Sequence, residues 1–127
     1  MSALVLDAGA LVAVDHDDRA MIARLRAAEQ GGLELRSNAM VVAQVWRDRQ
    51  GRQANLARLL RAVDVRAIDD RAGREAGVLL AAAGTADPID ATVVLLAATG
   101  DRILTSDPDD LTRLATAAAT RPVIIPC

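Results

Sequence analysis

Lysine is absent from this 127-residue chain, and all 15 of its basic residues are arginine. That excludes a P-loop nucleotide site and a receiver-domain phosphorylation site, both of which need a lysine. Phenylalanine and tyrosine are absent too, and Trp46 is the only residue of that aromatic kind. Stacking on aromatic side chains therefore cannot hold a single-stranded nucleic acid. The one cysteine, Cys127, leaves no disulfide framework and no cysteine-built metal site, and a cytoplasmic setting is expected. The one histidine, His16 in VDHDD, reads as a surface residue. No apolar run approaches the ~20 residues of a membrane span. The opening stretch MSALVLDAGALVAVDHDD lacks a basic segment and meets an acid at position 7, so it does not read as a signal peptide, and no membrane association is expected. A net charge of −2 gives no bulk attraction for nucleic acid.

What is present is a chain 52% hydrophobic, with Ala, Val and Leu supplying most of it. The length suits one core, and a single domain over 1–127 is expected. LVLD (4–7) predicts a short strand ending in an acid, and the apolar AGALVAV after it leaves room for a short helix capped by Asp7. Periodicity and caps predict helices over 18–32, 37–49, 53–63, 69–84, 87–100 and 107–119. Strands are predicted at 33–36, 64–68, 102–106 and 122–126. Ser37 or Asn38 would cap the helix over 37–49. Strands alternating with helices imply an α/β fold, a three-layer sandwich with a central parallel sheet.

In such a sheet ligands bind beyond the carboxyl ends of the strands. LVLD and RILTSD place Asp7 and Asp107 there, and DPID opens a helix with Asp87 and Asp90. The stretches DPID (87–90) and DPDD (107–110) share the pattern Asp-Pro-x-Asp, which is good helix-starting chemistry. Capping alone accounts for Asp87 and Asp107, and the helix dipole for Asp90, Asp109 and Asp110. Asp7 stands between two apolar runs, and an unpaired buried carboxylate is costly. A divalent cation would offset it. Several aspartates with no His or Cys cluster favour Mg2+ or Mn2+ over zinc, which suits hydrolysis of a phosphodiester.

The stretches LVLDAGALVAV, VVAQVWRD, DPIDATVVLLA and ILTSDPDDL, in that order and spacing, resemble the PIN domains, in particular the VapC-type toxin ribonucleases of bacterial toxin–antitoxin pairs. The resemblance covers essentially the whole chain. It implies an α/β/α sandwich and a metal-dependent endoribonuclease using Mg2+ or Mn2+. Asp7, Asp90 and Asp107 would be the catalytic and metal-holding acids, with Asp87 and Gln44 as further candidate ligands. It also implies an RNA substrate, a small cognate antitoxin protein and a homodimer.

Two positions depart from the family pattern. The family usually has Glu where AQVWRD has Gln44; an amide oxygen ligates a hard cation more weakly than a carboxylate. The family often has Ser or Thr after the first acid, where this chain has Ala8 and Gly9; Ser106 keeps a hydroxyl beside Asp107 and is the candidate supporting residue. The arginine-rich stretch 47–61 supplies Arg47, Arg49 and Arg52 as candidate RNA-binding residues, Arg47 lying one turn from Gln44. Trp46 suits the core or a dimer interface.

Two other readings compete. In one, the chain is a degenerate PIN-like module that binds RNA or an antitoxin without cleavage, because Gln44 replaces the Glu. The other is a phosphatase of the haloacid dehalogenase type. It fails on residues, since it wants a second Asp two positions after the first, where Gly9 stands, and a lysine.

Overall fold

The computed structural model describes residues 2–127, with the side chain at position 49 outside that description. The run Ala3–Leu6 (β1) is buried on both faces, as a continuous apolar run in the middle of a parallel sheet must be. Around it the strands β2 (Glu34–Asn38), β3 (Val63–Arg66), β4 (Arg102–Thr105) and β5 (Val123–Pro126) form one sheet in the order β3-β2-β1-β4-β5. Every pairing is parallel, with Leu4 beside Leu35 and Val5 beside Ile103.

Helices α1 (Ala8–Asp15), α2 (Arg19–Gln30), α3 (Ala39–Val45) and α4 (Ala54–Leu60) link the strands on one side of the order. Helices α5 (Asp70–Ala83), α6 (Pro88–Val94) and α7 (Pro108–Ala117) link those on the other. α1 packs against α2, α3 and α4, while α5, α6 and α7 pack against one another. The core between these layers and the sheet is built from Leu6, Leu11, Leu35, Leu56, Ile103 and Leu111, all essentially sealed from solvent. The chain steps outward from β1 to β3, then returns to place β4 on the other side of β1. The carboxyl ends of β1 and β4 therefore flank the switch point of the sheet, where a crevice opens. Among the described residues no single helix is long and apolar enough to cross a membrane.

The alternation expected from sequence holds, and several boundaries move for tertiary reasons. Residues 8–15 form α1 with Asp7 as its cap. The helix expected over 37–49 starts only at Ala39 and ends at Val45. Ser37 and Asn38 are strand residues, paired with Val65 and Arg66 of β3. Asn38 both ends β2 and caps α3, its Oδ1 accepting from the N–H groups of Met40 and Val41 at 3.0 Å each. The helix over 53–63 is 54–60, because Val63 joins β3 opposite Leu35. The helix over 87–100 stops at Val94. Beyond it, Arg36 Nη1 donates to the Leu96 carbonyl at 2.8 Å, and Asp101 Oδ2 accepts from the Ala98 N–H at 2.9 Å. The remaining elements shift by one or two residues at their ends, β2 extending to Asn38 and β3 ending at Arg66.

Candidate metal centre

Asp7 follows the last residue of β1 and is only 7% exposed. Its Oδ1 accepts the Ala8 N–H at 2.8 Å, and its Oδ2 accepts the Thr105 hydroxyl at 2.7 Å. Thr105, at the end of β4, is fully buried, and its oxygen also accepts the Asp107 N–H at 3.0 Å. A threonine hydroxyl has one proton to give. With the Asp107 N–H occupying a lone pair, that proton goes to the Asp7 Oδ2, which accepts it. Thr105 thus ties the first acid of the chain to the loop carrying another, 98 residues apart in the case of the Asp7 contact.

Asp90 comes in from α6 and is 9% exposed. One carboxylate oxygen from each of Asp90, Asp107 and Asp110 lies within 4.8 Å of the other two. Burial, then the charges of Asp87, Asp7, Asp107 and Asp110, push the Asp90 carboxyl up to about 7. Burial, then the charge and hydrogen bonding of Asp110, with Asp7 and Asp109 behind them, also raise Asp107. None of the ion pairs among the described residues involves any of these acids. An oxygen-only donor set, crowded enough to hold a proton near neutrality and lacking a basic partner, fits a hard divalent cation such as Mg2+ or Mn2+.

The two Asp-Pro-x-Asp stretches behave differently. Asp87 is an exposed cap of α6, its Oδ1 accepting from the Ile89 N–H at 2.9 Å and the Asp90 N–H at 3.3 Å. It enters the site as the charge that raises Asp90 most. Asp107 makes no side-chain cap bond to α7, which leaves its carboxylate free to meet Asp90 and Asp110. From the sequence pattern, the helix dipole alone accounts for Asp110. Its one available signal was its place a turn beyond Asp107 on the same helix.

Gln44 is exposed on α3, and its amide makes no hydrogen bond among the described residues. Ser106 is exposed and sits against Gly9, where an added Cβ would lie 2.6 Å from the Ser106 Oγ and 2.8 Å from its Cβ. The glycine after the first acid makes room for the hydroxyl before Asp107. Arg47 spends its guanidinium on its own helix end, Nη1 donating to the carbonyls of Ala43 at 3.0 Å and Trp46 at 2.7 Å. Arg52 is exposed and makes no ion pair among the described residues. The Arg49 side chain lies outside the described residues. Trp46 is half-buried against the core.

No family model matches the chain, and no curated protein matches it. Among solved structures it is similar to the crystal structure of VapBC2 from Rickettsia felis bound to a DNA fragment from their promoter. That likeness has a TM-score of 0.72 at 12% identity, over 98% of this chain and 98% of that one. At this identity the likeness speaks for architecture. Five parallel strands between two helix layers, superposable over nearly the whole length, give the chain the PIN-like fold that its motifs resemble.

Proposed function

We propose that the chain is a divalent-cation-dependent endoribonuclease of the toxin type, with Asp7, Asp90 and Asp107 as the acids that hold Mg2+ or Mn2+ and Asp110 as a fourth carboxylate. One observation carries this reading: the oxygens of Asp90, Asp107 and Asp110 converge within 4.8 Å at the switch point of the sheet with no basic partner. A cation bound there would lower the pKa of water and offset charge on a phosphodiester. The chain's own residues prepare for it. Thr105 holds Asp7 oriented, and the Asp107 N–H on Thr105 fixes the loop that presents Asp107. A cation held there would favour the deprotonated form of Asp90, whose carboxyl is raised to about 7 by burial and the neighbouring acids. RNA as substrate rests on the motif resemblance and is supported by the fold. A small antitoxin partner is supported by the likeness to VapBC2, and a homodimer and a cytoplasmic setting complete the proposal.

The test is incubation of a mixed cellular RNA pool with the purified chain in Mg2+, Mn2+ or EDTA, beside Asp7→Asn. Cutting that needs the metal and disappears in the variant is expected, with a loss of roughly 100-fold or more. Equal cutting by Asp7→Asn, or cutting in EDTA, overturns the assignment.

A second reading, a module that binds without cutting, is favoured by the uncharged, unbonded Gln44 where the family usually has Glu. Folded wild-type protein that cuts under no ion, with cleavage gained in Gln44→Glu, would support it.

A further inference from the structure

Asn38 is fully buried at the end of β2, and its one amide joins that strand to two helices. Its Oδ1 takes the N–H groups of Met40 and Val41 at the start of α3. That use fixes the amide, because two donors need the oxygen, and the nitrogen is left to face α6. There Nδ2 donates to the Thr92 Oγ1 at 3.1 Å. Thr92 is buried too, and it gives its own proton to the Ile89 carbonyl at 2.7 Å. Its hydroxyl is therefore an acceptor towards Asn38. The donors run in one direction, from the end of β2 through Thr92 into the first turn of α6.

Asp90 belongs to that same turn. Two residues along a helix rotate the side chain by about 200°, so Thr92 and Asp90 leave α6 on nearly opposite sides. Asn38 holds one side, and the acids Asp107 and Asp110 meet the other. Among the described residues, the Asn38–Thr92 bond is the only hydrogen bond that joins α6 to another strand or helix. Ala91, Val93 and Val94 bury the helix in the core, but apolar burial is non-directional and sets no rotation on its own. A hydrogen bond is directional and does. On the acid side, like charges within 4.8 Å push Asp90 away from Asp107 and Asp110. A helix of 7 residues that carries a repelled carboxylate needs an anchor on its far side.

We propose that Asn38 and Thr92 are positioning residues of the metal centre: their hydrogen bond fixes the rotation of α6 and so holds the Asp90 carboxylate where Asp107 and Asp110 meet it. The proposal rests on the metal-centre reading given above. Neither residue is a ligand, since the amide and the hydroxyl are both spent on protein partners. Thr105 does a related task for Asp7 by direct contact, whereas Thr92 acts on Asp90 through the helix that carries both.

The experiment is calorimetric titration of Mn2+ into wild type, Thr92→Val, Thr92→Ser and Asn38→Ser, with urea unfolding of each in EDTA to fix a temperature at which all are folded. Thr92→Val keeps the branched shape and removes the hydroxyl. It is expected to weaken Mn2+ binding about 10-fold, the scale found when a residue that orients a ligand is removed. Thr92→Ser restores the hydroxyl and is expected to return to within about 3-fold of wild type. Asn38→Ser still caps α3 but is too short to reach Thr92, so it should match Thr92→Val, and it decides the matter if Thr92→Val does not fold. A purely structural role lowers the urea midpoint of these variants and leaves the Mn2+ Kd of the folded protein unchanged, and that result overturns the proposal. So does a Thr92→Ser protein as weak as Thr92→Val. If wild type binds no Mn2+, the metal-centre reading falls. Positioning is then judged on residual dipolar couplings of the α6 amides in EDTA. Unchanged couplings in Thr92→Val overturn it, and a rotated helix that Thr92→Ser restores supports it.

Discussion

Asp101 and Asp90 are both buried, both close to the central strands, and at opposite ends of them. At the amino end, Asp101 accepts the N–H of Ala3 at 3.0 Å and of Ala98 at 2.9 Å, and lies 3.8 Å from Arg36. Burial alone would raise its carboxyl, but those two N–H groups and Arg36 outweigh it and hold the pKa below the ordinary value. At the carboxyl end, Asp90 has other carboxylates for neighbours and no ion pair among the described residues, and burial and repulsion raise it to about 7. The difference separates two uses of a buried acid. Asp101 joins the starts of β1 and β4 and contributes to stability. Asp90 holds repulsion in the folded state, which a bound cation would relieve.

The comparison can be broken at either end. The largest effect is expected from Asp101→Ala, which leaves the N–H groups of Ala3 and Ala98 without an acceptor, while Arg36 keeps Glu34 at 3.2 Å. Urea unfolding should show a loss of about 3–5 kcal/mol from the two unsatisfied donors. A loss below about 1 kcal/mol would mean that Asp101 is no clasp. Next is metal linkage. Mn2+ at about 100 times its Kd should stabilise the protein by about 2.7 kcal/mol in thermal unfolding at pH 8, and by less at pH 5.5, where Asp90 keeps its proton. Equal shifts at the two pH values would remove Asp90 from the binding set.

A smaller effect concerns the metal-free protein. The folded pKa of Asp90 lies above its unfolded value, so its contribution is fully present below about pH 4 and is lost as pH rises towards 7. Asp101 has the opposite sign: its contribution is present above the unfolded value and is lost as pH falls through its lowered pKa. For these two groups, stability in EDTA is therefore greatest near pH 4. Asp90→Asn should flatten the loss above that pH and stabilise the metal-free protein at pH 8 by about 1–2 kcal/mol, discounted for screening in the open cleft. An unchanged pH profile would sink the account of Asp90. The smallest effect is expected from Gln44→Glu, which should tighten Mn2+ binding only about 3- to 5-fold in a calorimetric titration, since a carboxylate on exposed α3 adds charge more than contact. No change in Kd would place Gln44 outside the centre.

Much of the architecture was legible because β1 is apolar throughout and α2, α5 and α7 show clear amphipathic periodicity. What was not legible depends on distant partners. The early stop of α6 goes with Arg36 and Asp101, neither of which lies in the helix. The strand character of Ser37 and Asn38 comes from β3, and without β3 the Ser-Asn pair reads as a helix start. At the site, identical Asp-Pro-x-Asp patterns conceal one capping aspartate, Asp87, and one whose side chain does not cap, Asp107. Asp110 joins Asp90 only through the packing of α7 against α6. Thr105 was hidden for another reason: in a strand, a fully buried threonine looks like any β-branched residue until its hydroxyl finds Asp7.

The bond from Thr105 to Asp7 spans 98 residues of chain, and so does the one from Ala3 to Asp101. β1 leaves a ribosome 98 residues ahead of its partner β4. At about 5–20 residues per second, that interval lasts roughly 5–20 s. Throughout it Asp7 has neither Thr105 to orient it nor Asp90 and Asp107 beside it. A growing chain of this topology carries its acids scattered, and the cation site comes into being only once α7 has been made.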